Sequence, residues 1–591
     1  MGRREVAERD PSKISRRQIL AGAGVAAAGA ATLGMAGARP ARAQDPSWDR
    51  EADIVVVGSG AAACSAAATS ASLGNKVVLI EKEPILGGTT NKSGGVAWVP
   101  NNSQMRAAGK TDPKADCMKY MVRYSYPQRY TPNSPTLGLD EASYKLIEAF
   151  YDNGAKAIDH LGNIGAVQFG TFLVGGKPSP DYADHLPENK APQGRSVVTL
   201  DDSGKIMVGT IGDGTNLIGH VEAWLRKQDV PILTEHKVVS AVKDGDRVVG
   251  VEAEADGKTV RIRARKGVIF ATGGYAHNVD LVHLHQKGLW GSCAMPGSTG
   301  DFIGIAQSAG AAMGAMGTAW RTQIVFEQAL ENRVLPQGVF FVPADSMFLV
   351  NKYGRRVVNE KRDYNDRTEV HFYFDPVHED YANELLFMIF DGRSLDAFGG
   401  AFPIPDPSDL GPYVIQGADM DELAANLANR LDTLKDKDGM VALADDFPKT
   451  LKETLDKFNA YAKAGKDPDF KRGDQSYDRA WQAFFSVMRE GSTEKPNDLP
   501  NPTMHPFRPE GPYYAIILAA GALDTSGGPR INEHAQVLAP DGTPIAGLYG
   551  AGNCIAAPSR EAYYGAGGTI GPCIAFGYIA AQHAHGQSQT G

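Results

Sequence analysis

The stretch Asp53 to Glu81, DIVVVGSGAAACSAAATSASLGNKVVLIE, constrains this chain more than any other. An apolar β-branched run, Ile54 to Val57, meets a glycine turn. A small-residue helical segment follows, and a second apolar run, Val77 to Ile80, stops at an acid. That order predicts a βαβ unit with a dinucleotide site at its switch point. Gly58 permits the tight turn and Gly60 lets a pyrophosphate approach the backbone. The helix beginning near Ala61 then aims free N–H groups and the positive end of its dipole at that anion. Ala63 stands at the third glycine position, where the need is for a small residue between helix and strand. Glu81, about twenty residues beyond the turn, is placed to accept hydrogen bonds from an adenosine ribose.

With 591 residues the chain is long enough for two or more cores, and 42% hydrophobic with 22% charged residues is the balance of a soluble globular protein. A net charge of -9 without a long basic run argues against nucleic acid as a partner. Five cysteines (Cys64, Cys117, Cys293, Cys554, Cys573) are scattered without CxxC or CxxCH, and there is no His-rich cluster. A covalent haem, an iron–sulfur cluster and a Cys-based zinc site are therefore unsupported; no metal is expected, and a redox cofactor would have to be organic. Cys64 and Cys573, in small-residue helices, read as buried hydrophobes.

Residues 1–43 read as an address. Ser15-Arg16-Arg17-Gln18-Ile19-Leu20 precedes an Ala/Gly-rich apolar stretch and then Ala41-Arg42-Ala43, a small-x-small cleavage site. So much Ala and Gly makes a poor membrane span. The expectation is export by the twin-arginine machinery in the folded, cofactor-loaded state, to the periplasm or another extracytoplasmic space.

After Glu81 comes Leu86-Gly87-Gly88-Thr89-Thr90-Asn91-Lys92-Ser93-Gly94-Gly95. Two glycine pairs separated by hydroxyl and amide side chains make a donor-rich loop that can lie flat on a polar ring system, which suits a flavin better than a nicotinamide. Gly212-Asp213-Gly214-Thr215 opens another helix, Asn216 to Lys227. Strands are expected at Pro231 to Leu233, Lys237 to Val242, Val248 to Glu254, Val260 to Ala264 and Gly267 to Phe270, the last entering Ala271-Thr272-Gly273-Gly274. From Tyr275 to about Phe507 the βα alternation fades, and from Gly511 strands and glycines return, ending in a helix from about Cys573 to His583 whose N-terminus suits an electron-rich ring edge. The expected architecture is α/β: a Rossmann-type cofactor domain in two segments, 44–280 and 508–591, with an α+β capping and catalytic domain, 281–507, inserted between them.

GSGAAA at Gly58, GGTTNKSGG at Gly87, GDGTNLIGHVEAWL at Gly212, ATGGYAHN at Ala271, TGD at Thr299, GRRVVNE at Gly354 and GLYGAGN at Gly547 occur in this order. Together they resemble the flavoprotein family of fumarate reductases and 3-ketosteroid dehydrogenases over essentially the whole chain after the address. The resemblance implies FAD, and non-covalent FAD, because tethering members use a His just before the second glycine pair and this loop has none. It places cofactor contacts on Gly58, Ser59, Gly60, Ala62, Ala63, Glu81 and Lys82, and on Gly88, Thr89, Thr90, Ser93, Gly94 and Gly95. It places further contacts on Val239, Ala271, Thr272, Gly273, Asp301, Asn553, Gly568, Thr569 and Ile570.

The dicarboxylate clamp of the fumarate branch is missing: Asp524 and Thr525 stand where a His pair is expected. Ala562 to Pro572, AYYGAGGTIGP, is similar instead to the ketosteroid dehydrogenase pattern AYPGAGxTIGP, with Tyr564 for Pro. Asn359 to Asp366, NEKRDYND, is similar to that branch's NExAPYxD. Tyr182 to Glu188 is similar to its aromatic YSDYYPE, with His185 and Leu186 in place of its tyrosines. The resemblance assigns the Tyr563 hydroxyl and the Gly567 N–H to a ketone oxygen and Tyr364 to the α-proton; a tyrosine base needs positive charge or hydrogen-bond donors beside it, for which Arg362 and Tyr182 are the candidates. Arg362 reads as a salt-bridge residue rather than a catalytic one. The expectation is an FAD-dependent oxidoreductase acting on CH–CH groups that introduces a double bond beside a ring ketone, in a 3-oxosteroid or a smaller alicyclic compound. It would pass electrons to an external acceptor, a quinone or a redox protein. The alternatives are an enoate or enone reductase of the fumarate reductase type, and an exported flavin-binding sensor or carrier.

Overall fold

The structure, a computed structural model, describes residues 47–205, 213–336, 342–437 and 441–589. The expected export signal and Gly212 lie outside the described residues. Strand β1 (Arg50–Val57), helix α1 (Ala61–Ser72) and strand β2 (Val77–Ile80) form the βαβ unit that the sequence predicts. They are followed by α2 (Gly214–Lys227), β3 (Ile232–Leu233), β4 (Lys237–Asp244), β5 (Arg247–Ala255) and β6 (Lys258–Phe270). The middle of the chain supplies β7 (Ala319–Val325), β8 (Met347–Val350), α3 (Tyr364–Thr368), β9 (Leu386–Asp391), β10 (Val414–Gly417) and α4 (Ser476–Phe485). The close supplies β11 (Tyr513–Thr525), β12 (Gln536–Leu538), β13 (Pro544–Gly550) and α5 (Ile570–His585).

The first sheet runs β12-β13-β6-β1-β2-β3, with the antiparallel pair β4 and β5 attached to β6. Its central strands are parallel. Val57 is level with both Ile80 and Phe270, and Phe270 with Gly550, so four carboxyl ends finish at one edge, where a doubly wound sheet binds its ligand. The two runs expected at 260–264 and 267–270 are one strand, β6. Arg265 between them is ion-paired to Glu51, and the register against β1 shifts between Ala52 and Ile54, so a bulge absorbs the polar interruption without ending the strand.

α1 is buried along ten of its twelve residues, which only Ala, Ser, Thr and Cys side chains permit. A Cβ on Gly577 of α5 would sit 2.3 Å from the Ala62 carbonyl oxygen, so this glycine lets the two helices touch. α5 itself starts three residues before the expected Cys573. Pro572 sits in its first turn, where a missing N–H costs nothing.

The second sheet is organised on β11, flanked by Gly291–Ser292, β7, β9 and β10, with β8 beyond β9. β11 pairs with β9 and β10 along its first half and with β7 along its second. This strand lies past residue 508, in the stretch the sequence returned to the cofactor domain. Its all-apolar run, Tyr513 to Leu523, is what a central strand buried on both faces requires. Among the described residues no helix is long and apolar enough to cross a membrane.

Candidate active site and cofactor cleft

A cleft of about 290 Å³ opens at the shared carboxyl edge of β1, β2 and β6. Gly58 is in the left-handed region (φ +102°), and a Cβ there would lie 2.3 Å from the Ala271 carbonyl oxygen. Gly60 enters α1 in an extended conformation and has no side chain to cap it; the Ala61 N–H donates to Thr90 Oγ1 at 3.1 Å, tying the start of α1 to the following loop. The Ser59 hydroxyl donates to Glu81 Oε2 at 2.5 Å and accepts the Gly87 N–H at 2.8 Å, fixing the acid and the following loop together. Burial raises the Glu81 carboxyl pKa, and hydrogen bonds from Ser59 and from the N–H groups of Glu83 and Lys82 partly restore it. Lys82 pairs with Asp301 at 2.7 Å and bonds Thr299, closing one wall. Of the other expected contacts, Ala62, Gly88, Thr89 and Thr90 line this cleft, as do Ala271, Thr272, Gly273 and Asn553.

Three expected cofactor contacts line neither this cleft nor the cavity beyond it. Val239 is 39% exposed; its neighbour Val238 faces the cleft, because successive side chains of a strand point to opposite faces. Ala63 is a fully buried residue of α1 itself and acts through packing. Gly568 lies under the Tyr563 ring, where a Cβ would come within 2.9 Å of Cδ1. Conversely the turn Met295 to Ser298 and Cys573 contribute to the lining, unforeseen from the sequence. The turn stands directly before the Thr299-Gly300-Asp301 motif, and that adjacency is the signal that could have found it.

A second cavity of about 330 Å³ shares Thr89, Asp524 and Asn553 with the first. Ser93, Gly94 and Gly95 line it from the loop, and Thr569 and Ile570 from the start of α5. Gly214 lets α2 close on the loop: a Cβ there would lie 1.8 Å from the Thr90 carbonyl oxygen, so the second glycine of the GDGT motif seats α2 against it. Aromatic residues from distant segments, Phe172, Trp320, Phe402, Trp481 and Phe484, complete the wall. The sequence reading missed them. Trp481 and Phe484, spaced i, i+3 on an amphipathic helix, carried the only local signal.

Tyr182, Tyr364 and Tyr563 converge here and are buried. The Tyr182 and Tyr364 hydroxyl oxygens are 3.0 Å apart. The Tyr182 and Tyr563 rings stack at 5.4 Å, and Tyr364 meets Tyr563 edge-on at 5.2 Å. Burial pushes the Tyr364 and Tyr182 hydroxyls well above the ordinary phenol range. Tyr563 is raised too, with hydrogen bonding to Tyr364 and Thr569 working against its burial. Gly567 adopts φ +87°, and a Cβ there would strike the Val96 carbonyl oxygen at 2.3 Å. Its carbonyl accepts the Trp98 N–H at 2.9 Å, and its own N–H makes no hydrogen bond to any described residue.

Tyr564 points away from this cavity. Its hydroxyl is 2.6 Å from Ser125 Oγ and its ring packs on Trp98, Tyr120 and Tyr124. Leu186 likewise packs into the core of the first sheet. His185, beside Asp184, is largely exposed, and none of these three departures from the expected pattern lines the cavity. Arg362 lies outside the cavity, 3.7 to 4.0 Å from Asp478, Asp363 and Asp184, and donates to the Tyr182 carbonyl.

The profile of the FAD binding domain family matches residues 53–570. The chain belongs to the FAD binding domain family. 4-Oxocyclohexanecarboxylate 2-dehydrogenase of Sinomonas cyclohexanicum is 29% identical over 91% of this chain and 93% of the relative. 3-Oxosteroid 1-dehydrogenase of Mycolicibacterium smegmatis is 29% identical over 90% of this chain and 97% of the relative. The crystal structure of 3-ketosteroid delta1-dehydrogenase from Sterolibacterium denitrificans in complex with 1,4-androstadiene-3,17-dione matches with a TM-score of 0.73. It is 24% identical, covers 91% of this chain and 99% of that one, and shares the fold. The chain is an FAD-dependent oxidoreductase of mixed α/β fold.

The residues present fit FAD. At Gly58 and Gly60 the cleft wall is backbone with no side chain to fill it, a buried acid stands at the ribose position, and donor side chains follow into the second cavity. None of the five cysteines is in a disulfide, and burial pushes Cys64 and Cys573 up to about 12, so both are neutral thiols; Cys573 is also part of the FAD cleft wall.

Proposed function

We propose that this chain is an exported FAD-dependent dehydrogenase that introduces a carbon–carbon double bond beside the carbonyl of a ring ketone. The observation that carries the reading is the meeting of Tyr182, Tyr364 and Tyr563 with Gly567 in one aromatic cavity that adjoins the FAD cleft. Bound FAD would supply the hydride acceptor for the β-carbon. The chain supplies the rest. The Tyr563 hydroxyl and the Gly567 N–H are donors for a ketone oxygen, and their bonds strengthen as charge builds towards the enolate. Tyr364, as phenolate, takes the α-proton, and the Tyr182 hydroxyl at 3.0 Å stabilises that phenolate.

The aromatic wall favours a cyclic, apolar substrate body, and the relatives named for 4-oxocyclohexanecarboxylate and 3-oxosteroids support a ring ketone in that place. An external electron acceptor, a quinone or redox protein, completes turnover. The Arg16-Arg17 signal supports export by the twin-arginine route. Anaerobic mixing of the flavin-loaded protein with a panel of saturated ring ketones tests the reading. Bleaching of the oxidised flavin absorbance is expected with at least one of them. Bleaching by none, with reoxidation of the reduced protein by enones, would reverse the assigned direction.

A further inference from the structure

Asp184 lies two residues beyond Tyr182, and the mechanism above gives it no part. Its carboxylate reaches out of the segment to the start of α4, where Oδ2 accepts the Tyr477 N–H at 3.0 Å and the Ser476 hydroxyl. The residue in the N-cap position of α4, Gln475, makes no capping hydrogen bond with its side chain. The first N–H groups of that helix therefore lack a local acceptor. An N-cap oxygen serves the second or third helical N–H, and Tyr477 is the second. Asp184 thus takes, from 293 residues away, the place that an Asp or Ser at 475 would fill.

The Asp184 side chain is only 4% exposed. Burial raises its pKa, but His185, Ser476, the Tyr477 N–H and Arg362 more than offset this and leave the carboxyl below its ordinary range. An ionised carboxylate at a helix N-terminus also meets the positive end of the dipole. Arg362 reinforces the junction, with its guanidinium over the Tyr477 ring at 5.3 Å and hydrogen bonds to the Gln475 side chain and the Tyr182 carbonyl.

What α4 carries makes the cap consequential. Trp481 and Phe484 line the second cavity, and the Tyr477 ring meets Tyr182 edge-on at 5.1 Å. One carboxylate therefore ties the segment that presents the Tyr182 hydroxyl to the helix that forms the aromatic wall. We propose that Asp184 is a positioning residue for substrate binding: capping α4 from the Tyr182 segment, it holds Trp481 and Phe484 against the ring of the substrate. The kinetic part of this proposal rests on the ring-ketone reading.

The test compares three flavin-loaded variants by amide hydrogen exchange of residues 476–485 and by steady-state kinetics. Asp184→Ala removes the acceptor, Asp184→Asn keeps one, and Asp184→Ala with Gln475→Asp moves it to the helix's own N-cap. In Asp184→Ala, loss of a cap should speed exchange in α4 and raise KM by about fivefold, with kcat within about twofold of wild type. Asp184→Asn and the double variant should return both readouts to near wild type. Should Asp184→Ala not fold, Asp184→Glu, which displaces the acceptor by one methylene, carries the same expectation at smaller amplitude. Wild-type exchange and KM in the acceptor-removing variant overturns the proposal. So does a fall in kcat at unchanged KM, or no recovery in the double variant. Exchange is read without substrate, so failure to turn over any ring ketone would sink the functional reading and leave the capping result standing.

Discussion

Tyr364 can accept a proton only as phenolate, yet burial holds its hydroxyl, and that of Tyr182, well above the ordinary phenol pKa of about 10. A base whose pKa is raised is almost wholly protonated at neutral pH, and its active fraction grows about tenfold for each unit by which the pH rises towards that pKa. We expect kcat/KM on a ring ketone to rise steadily from about pH 6 to pH 10 without a neutral plateau. Tyr364→Phe should abolish that rise along with turnover. Tyr182→Phe removes the hydrogen bond to the phenolate and should move the rise to still higher pH. Tyr563→Phe removes a donor to the ketone oxygen and should cost on the order of 100-fold in kcat while the profile keeps its shape. A flat profile in the wild type would remove Tyr364 as the base, and full turnover by Tyr563→Phe would remove that residue from the mechanism.

Among the elements, α2 gives the sharpest contrast between two glycines of one helix. A Cβ at Gly214 would lie 1.8 Å from the Thr90 carbonyl oxygen and 2.7 Å from Ser93 Oγ, whereas at Gly219 nothing lies within 4 Å. Gly214→Ala should therefore push α2 off the loop that lines both cavities, costing about 1–3 kcal/mol and much of the bound flavin. Gly219→Ala should stabilise by about 0.5–1 kcal/mol with flavin retained. Flavin content after gel filtration and a thermal melt read both, and equal behaviour of the two variants would refute the role given to Gly214. The βαβ unit was legible because its strands are continuous apolar runs and its turn residues are glycines, properties that act over a few residues. Val239 shows the limit: strand β4 was legible but not which of its faces meets the cleft, and a shift of one residue exchanges Val239 for Val238. Of the aromatic wall only the i, i+3 spacing of Trp481 and Phe484 was legible, since Phe172, Trp320 and Trp481 come from separate segments and only tertiary packing turns them to one cavity. The tyrosines became visible through resemblance, because nothing local marks Tyr182 and Tyr364, 182 residues apart, as partners.

At the scale of the molecule, the two cavities join where the two sheets meet, and Asp524 sits at that join. It is the last residue but one of β11 in the second sheet, accepts from the Gly274 N–H at 3.0 Å and from Asn553 at 3.3 Å through Oδ2, and from Ser298 at 2.7 Å through Oδ1. Gly274 follows β6 and Asn553 follows β13, so one carboxylate ties both sheets beside the cofactor. In the sequence this residue marked only where a His pair was missing. Burial raises its pKa, and the four hydrogen bonds from Ser298, Gly274, Asn553 and Thr525 only partly restore it. A carboxyl raised in this way lends stability that declines as pH rises above its unfolded value of about 4. At neutral pH its contribution is therefore its acceptors rather than its charge. Asp524→Asn removes the charge but turns an NH₂ group towards either the Gly274 N–H or Ser298, leaving buried donors unpaired at about 1–3 kcal/mol. That loss should outweigh the relief of charge and lower the melting point by a few degrees. The loops it ties, 271–274 and 552–553, line the cofactor cleft, so flavin should be released before the chain unfolds. Flavin fluorescence and tryptophan fluorescence followed in one thermal scan separate the two events. Coincident transitions at the wild-type temperature would show that the sheets are held together without this carboxylate.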